Sequence, residues 1–137
     1  MANIPRRVAI LGGARIPFAR ANSAYAEASN QDMLTAAFGF LVDKYSLKNE
    51  KLGEVAAGAV IKHSRDWNLA RESALGAGLH PTTPAYDLQR ACGTSLSAVA
   101  QLAHRIAAGE IDSASPAAPT ARATSRSATA GSCSARC

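Results

Sequence analysis

PAYDLQRACGTSLSAVAQLAHRIAAG, residues Pro84 to Gly109, changes period halfway along its length, and that change decides the fold. Ala85 to Gln89 alternate apolar and polar side chains as a half-buried strand does, after Pro81 and Pro84 have broken what precedes them. Leu96, Val99, Ala100, Ala103, Ile106 and Ala107 then recur at spacings of three and four, on one face of a helix that Gly109 can end. Cys92-Gly93-Thr94-Ser95 is the turn between them, where Gly93 removes a Cβ from a sharp bend. There, unpaired N–H groups and the positive end of the helix dipole favour thiolate over thiol. The same N–H groups, that of Cys92 included, can stabilise the oxyanion of a tetrahedral intermediate. Two readings stand on the residues alone: a nucleophile, or a small buried core cysteine at a helix start.

Outward from this unit the chain reads as further strands and helices. Val8 to Leu11 is an apolar run stopped by Gly12-Gly13, which predicts a strand buried on both faces, as in a helix-covered parallel sheet. The glycine pair does not make a dinucleotide fingerprint, because G-x-G-x-x-G is absent and Pro17 stands where a helix would begin. Arg15 in the following loop is either a contact for an anion or a solvated side chain. Ser29 and Asp32 predict a capping box for a helix carrying Leu34, Ala37, Phe38, Leu41, Val42 and Tyr45. Glu54 to Ile61 reads as a second buried strand, and Asn68 as the cap of a helix from Leu69 to Ala77 that Gly78 ends. The loop His63-Ser64-Arg65-Asp66-Trp67 holds a His near an Asp, half of an acid–base pair or simply a charged surface loop. His80 precedes Pro81, and His104 lies about 18 Å along the helix axis from Cys92, too far to serve as its base. The pattern predicts an α/β fold with a mainly parallel sheet covered by helices.

Composition bounds the function. The chain has 137 residues, enough for one domain with a core and too few for two ordinary ones. Its net charge of +5 does not mark a nucleic-acid binder. Residues 1–114 hold 12 Lys/Arg against 10 Asp/Glu, scattered and without interleaved aromatics, and the remaining basic residues are Arg122, Arg126 and Arg136. Cys133 and Cys137 share the tail without a companion His, so neither a metal site nor a disulfide framework is expected. Arg6-Arg7 before Val8 hints at a secretion signal that Gly12, Gly13 and Arg15 cut short, and no run approaches the roughly 20 apolar residues of a membrane span. The expectation is a cytoplasmic protein that meets neither membrane nor nucleic acid.

Gln89-Arg90-Ala91-Cys92-Gly93-Thr94-Ser95-Leu96-Ser97-Ala98 resembles the nucleophile segment of the thiolases. Arg15-Ile16-Pro17-Phe18, Gly58-Ala59-Val60-Ile61 and Asn68-Leu69-Ala70-Arg71 resemble other segments of that family in the same order, and the likeness runs from residue 1 to 114. It is strongest to acetyl-CoA acetyltransferases related to the β-oxidation β subunit. The resemblance implies most of the N-terminal half of a thiolase fold, with Cys92 as the nucleophile that takes an acyl group from a 3-ketoacyl-CoA and passes it to coenzyme A. It implies coenzyme A thioesters as substrates, no covalently bound cofactor, and a homo-oligomer in the full-length family. The family's activating His, its second oxyanion His and its acid–base Cys have no counterpart here. The chain is therefore expected to be inactive or nearly so by itself. The rival expectation is a non-catalytic domain that docks on a thiolase-like subunit.

After Ala114 the composition changes. Residues 115–137 contain no Leu, Ile, Val or aromatic residue, which predicts a disordered, low-complexity tail. Thiolases of this kind would continue with a strand resembling Ile-Ala-Gly-Gly-Thr-Asp, which ATC GCC GGC GGC ACC GAC encodes. A one-base shift reads TCG CCG GCG GCA CCG AC, the order of Ser115 to Thr120. The tail is thus read as out of frame.

Overall fold

A computed structural model describes residues 6–20 and 23–117. Helix α1 (Asn30–Lys44) is followed by strand β1 (Glu54–Ala57), helix α2 (Leu69–Gly76), strand β2 (Ala85–Asp87), helix α3 (Thr94–Ala108) and strand β3 (Ala114–Ala117). The strands form a parallel sheet in the order β2-β1-β3, with Val55 opposite both Ala85 and Ser115. Helix α2 is the crossover between the parallel neighbours β1 and β2, and α3 carries the chain from β2 past β1 to β3 on its other side.

Alternation along β1 sorts the core into two layers. Val55 and Ala57 pack with Leu34, Phe38 and Val42 of α1 and Leu69, Ala70 and Ala74 of α2. Ala56 points the other way, against Ala98 and Leu102 of α3. Each Leu or Phe so buried stabilises the fold by about 1.5–3 kcal/mol. The α/β fold with a parallel sheet is therefore as the sequence predicts, with β1 buried and β2 and β3 half-buried. The helix ends also follow their signals. Ser29 and Asp32 exchange capping bonds, Asn68 accepts from the Arg71 N–H, and Gly78 and Gly109 take positive φ past the ends of α2 and α3.

Four expectations need correction. Val8 to Leu11 is not a strand; the run is exposed, with Ile10 and Leu11 at 80% and 83%. It is pinned to helices instead, by the Arg6 N–H on the Ala107 carbonyl and the Tyr45 hydroxyl on the Leu11 carbonyl, both at 3.0 Å. An apolar run becomes a buried strand only where a sheet edge meets it and both faces are covered. Here residues 8–20 arch over a cavity of about 970 Å³, lined by side chains such as Ile10, Leu41, Val99 and Ile106. For the same reason the apolar stripe of α3 is not the side that packs: Leu96 is 74% exposed, while Ser97, Ala98 and Leu102 are buried. Strand β1 ends at Ala57, leaving Val60 and Ile61 exposed, because the chain after β2 crosses it at Gly58. Finally, Ser115 to Ala117 continue strand β3, so the boundary placed after Ala114 cuts through a sheet strand. The expected disorder beyond Ala117, with Cys133 and Cys137, falls outside the described residues.

Candidate active site at the carboxyl edge of the sheet

Because the strands are parallel, the loops leaving β1 and β2 emerge at one edge, where open α/β sheets place their ligands. Side chains tie the two loops together. The Asp87 carboxylate accepts from the N–H groups of Leu69 (3.0 Å) and Ala70 (2.7 Å), so it caps α2 from a neighbouring strand. It also pairs with Lys62 at 2.5 Å. Gln89 donates to the Val60 carbonyl, and Asn30 at the start of α1 donates to that of Ile61. Gly58 lets the backbones touch, since a Cβ there would lie 1.8 Å from the Leu88 carbonyl oxygen.

This brace delivers the chain to Cys92. Ala91 turns it with φ 46°, a left-handed conformation that costs a non-glycine residue about 1–2 kcal/mol. Gly93 then opens α3 without any side-chain cap. The N–H of Gly93 reaches the Arg90 carbonyl at 2.9 Å and that of Thr94 the Ala91 carbonyl at 3.3 Å. Those of Cys92, Ser95 and Leu96 have no acceptor among the described residues. Cys92 is thus exposed, with free N–H donors in its own turn and in the first turn of α3. The buried-core alternative for this thiol does not describe its position.

The structure places none of the three histidines as its base. No described side chain bonds the Cys92 thiol. His63 lies on the same edge as Cys92, following β1, but its Nδ1 accepts from the Arg65 N–H at 3.2 Å, which puts the proton of the neutral ring on Nε2. Asp66, buried, takes the backbone N–H of His63 at 3.2 Å rather than its ring, and lies 3.7 Å from Arg65. Of the two readings of this loop, the charged loop is the one its hydrogen bonds support, since Asp66 meets the His63 backbone and not its ring. His80 precedes β2, at the opposite edge, with its ring against the Thr82 hydroxyl at 2.8 Å. His104 is on α3, well past its first turn. Arg15 stacks on Phe18, 4.7 Å from the ring centre. Elsewhere, burial and then the charge of Glu54 push the Tyr86 phenol above its ordinary value; its hydroxyl meets Gln101, joining β2 to α3.

The sequence places Gly58, Asp87, Thr94 and Gln89 in their segments but assigns none of them the bracing role that the structure gives it. Gly58 alone carried a signal, a glycine where a strand pattern should have continued. Among the described residues no three His, Cys, Asp or Glu are grouped to hold a metal ion. No described helix is long and apolar enough to cross a membrane.

Comparison with known proteins identifies the family and the fold. The family described as the thiolase N-terminal domain matches residues 8–114. A 3-ketoacyl-CoA thiolase of Photorhabdus laumondii is 39% identical over 106 residues, covering 77% of this chain and 24% of the relative. A 3-ketoacyl-CoA thiolase of Aliivibrio fischeri is 35% identical over the same length. The chain thus spans about a quarter of these curated relatives. The crystal structure of the Bacillus anthracis acetyl-CoA acetyltransferase superposes with a TM-score of 0.78 at 23% identity, over 85% of this chain and 30% of that one.

Proposed function

The chain belongs to the thiolase family, and from that premise we propose that it is the nucleophile-bearing part of a thiolase-type acyltransferase acting on coenzyme A thioesters. The observation that carries this reading is Cys92, exposed at the uncapped start of α3 inside the family match. In the proposed reaction the Cys92 thiolate adds to the 3-keto carbonyl of a 3-ketoacyl-CoA. The C–C bond breaks, acetyl-CoA leaves on protonation, and the acyl group remains as a thioester on sulfur. The thiol of a second coenzyme A then takes up the acyl group and releases the thiolate. Free N–H groups of Cys92, Ser95 and Leu96 are the available donors for the oxyanion of each addition. We further propose that this chemistry belongs to fatty-acid β-oxidation in the cytoplasm. No resident cofactor or metal enters it.

With no described base beside the thiol, the chain alone should turn over slowly or not at all. The test is thiolysis of acetoacetyl-CoA by the purified chain, by its Cys92→Ser variant, and by the chain mixed with the remainder of a related thiolase. Turnover that needs Cys92 and appears on mixing supports the reading. Absence of Cys92-dependent turnover in every mixture refutes it.

A second reading has its own observation in the 970 Å³ cavity and the exposed apolar residues Leu96, Phe18 and Leu11. Here the chain is a non-catalytic domain that covers these faces by docking on a thiolase-like subunit. A complex on gel filtration without turnover would identify it.

We also propose that the reading frame shifts beside Ala114, where the family match ends at the first residue of β3. Genomic sequence across the codons for Asp112 to Thr120 decides this. A one-base correction opening a thiolase continuation supports it, and an intact frame with none refutes it.

A further inference from the structure

The Thr94 hydroxyl sits at the centre of the Cys92 turn. It donates to the Ala91 carbonyl at 2.8 Å and accepts from the Arg90 N–H at 2.9 Å, so one side chain closes both ends of the bend that Cys92 occupies. Thr94 is 2% exposed, and its methyl group is the side-chain atom nearest the space above Gly58, so the hydroxyl has little freedom to turn away. The residue it holds is Ala91, whose φ of 46° no alanine adopts without a local reason. We propose that Thr94 is a positioning residue for Cys92: its hydroxyl holds Ala91 left-handed, and this sets the thiol against the free N–H groups of α3. The inference rests on the reading of Cys92 as the nucleophile.

The two parts of this idea separate experimentally. Iodoacetamide alkylation of Cys92 is followed by mass spectrometry in the full 137-residue chain, with Cys133 as the reference thiol in the same molecule. Thermal midpoints are recorded beside it. Thr94→Val keeps the shape and removes the hydroxyl, and should slow Cys92 by about tenfold, the factor that matches the left-handed penalty of a non-glycine residue. Thr94→Ser should match the wild type. Glycine adopts positive φ freely, so adding Ala91→Gly to Thr94→Val should restore the rate, which a role in packing alone would not predict. Equal rates in Thr94→Val and wild type, or a double variant as slow as Thr94→Val, would overturn the proposal. Should Cys92 react no faster than Cys133 in the wild type, it is the nucleophile reading that fails. Thr94 is then judged on the thermal midpoints: a Thr94→Val loss that shrinks in the Ala91→Gly background supports it, and one of unchanged size overturns it.

Discussion

Alanine at Gly58 would put a methyl group where the chain entering the Cys92 turn already runs. The new Cβ would stand 1.8 Å from the Leu88 carbonyl oxygen and 2.9 Å from its carbon, and real Cβ contacts stay beyond 3.0 Å. Leu88 must therefore retreat by about 1.2 Å, because the obstacle is backbone and has no rotamer to change. That motion stretches the hydrogen bond from the Leu88 N–H to the Ala57 carbonyl, now 2.9 Å, past the range in which it counts as one. A buried acceptor left unpaired costs about 1–3 kcal/mol. Overpacking adds about 1–3 kcal/mol more. The sum, about 2–6 kcal/mol, is a large share of the roughly 5–15 kcal/mol that holds an ordinary domain together. Thermal unfolding followed by far-ultraviolet circular dichroism should show Gly58→Ala melting about 10–20 °C below the parent. Gly13→Ala, with nothing within 4 Å of its Cβ, is the control. A Gly58→Ala midpoint within about 2 °C of that control would refute the close-approach argument.

Ser29→Ala removes the cap of α1 and should cost about 1 kcal/mol in urea unfolding at neutral pH. The Ser29 hydroxyl, then its N–H, holds the Asp32 carboxyl below the usual carboxylate range, so this contribution is full above its unfolded value and fades as pH falls through the folded one. The stability gap between parent and Ser29→Ala should accordingly narrow below about pH 4, and a gap constant down to pH 2 would contradict the assignment. Asp87→Asn turns one of two acceptors on the α2 N–H groups into a donor and should cost about 2 kcal/mol in the same assay. Lys62→Met, removing only the partly exposed cation, should cost under about 1 kcal/mol; equal losses would show that the ion pair rather than the cap matters.

Much of this was legible because local chemistry fixed it. The Ser29–Asp32 box, the Asn68 cap and the glycines at 78 and 109 are made by residues a few positions apart, and the structure keeps all of them. The turn of Cys92 was legible for the same reason, a change of period across four residues. What failed depended on neighbours distant in sequence. The stripe from Leu96 to Ile106 has helical spacing, but spacing says which side is apolar and not whether anything covers it. Val8 to Leu11 met the same limit. The polarity of Asp87 fitted an alternating strand, while its capping of α2, reaching back 17 and 18 residues, left no mark in that pattern.

Strand β3 has one further consequence. It is four residues long, stands at the edge of the sheet and includes Pro116, which has no N–H to give. Exposed edges recruit other chains by offering a continuous row of donors and acceptors, and short strands carrying proline are how natural sheets refuse that growth. A partner seated on the apolar cavity beside β3 would therefore be held by shape and side-chain packing rather than by added strand pairing. A strand this short and broken by a proline offers little for another strand to extend at the β3 edge.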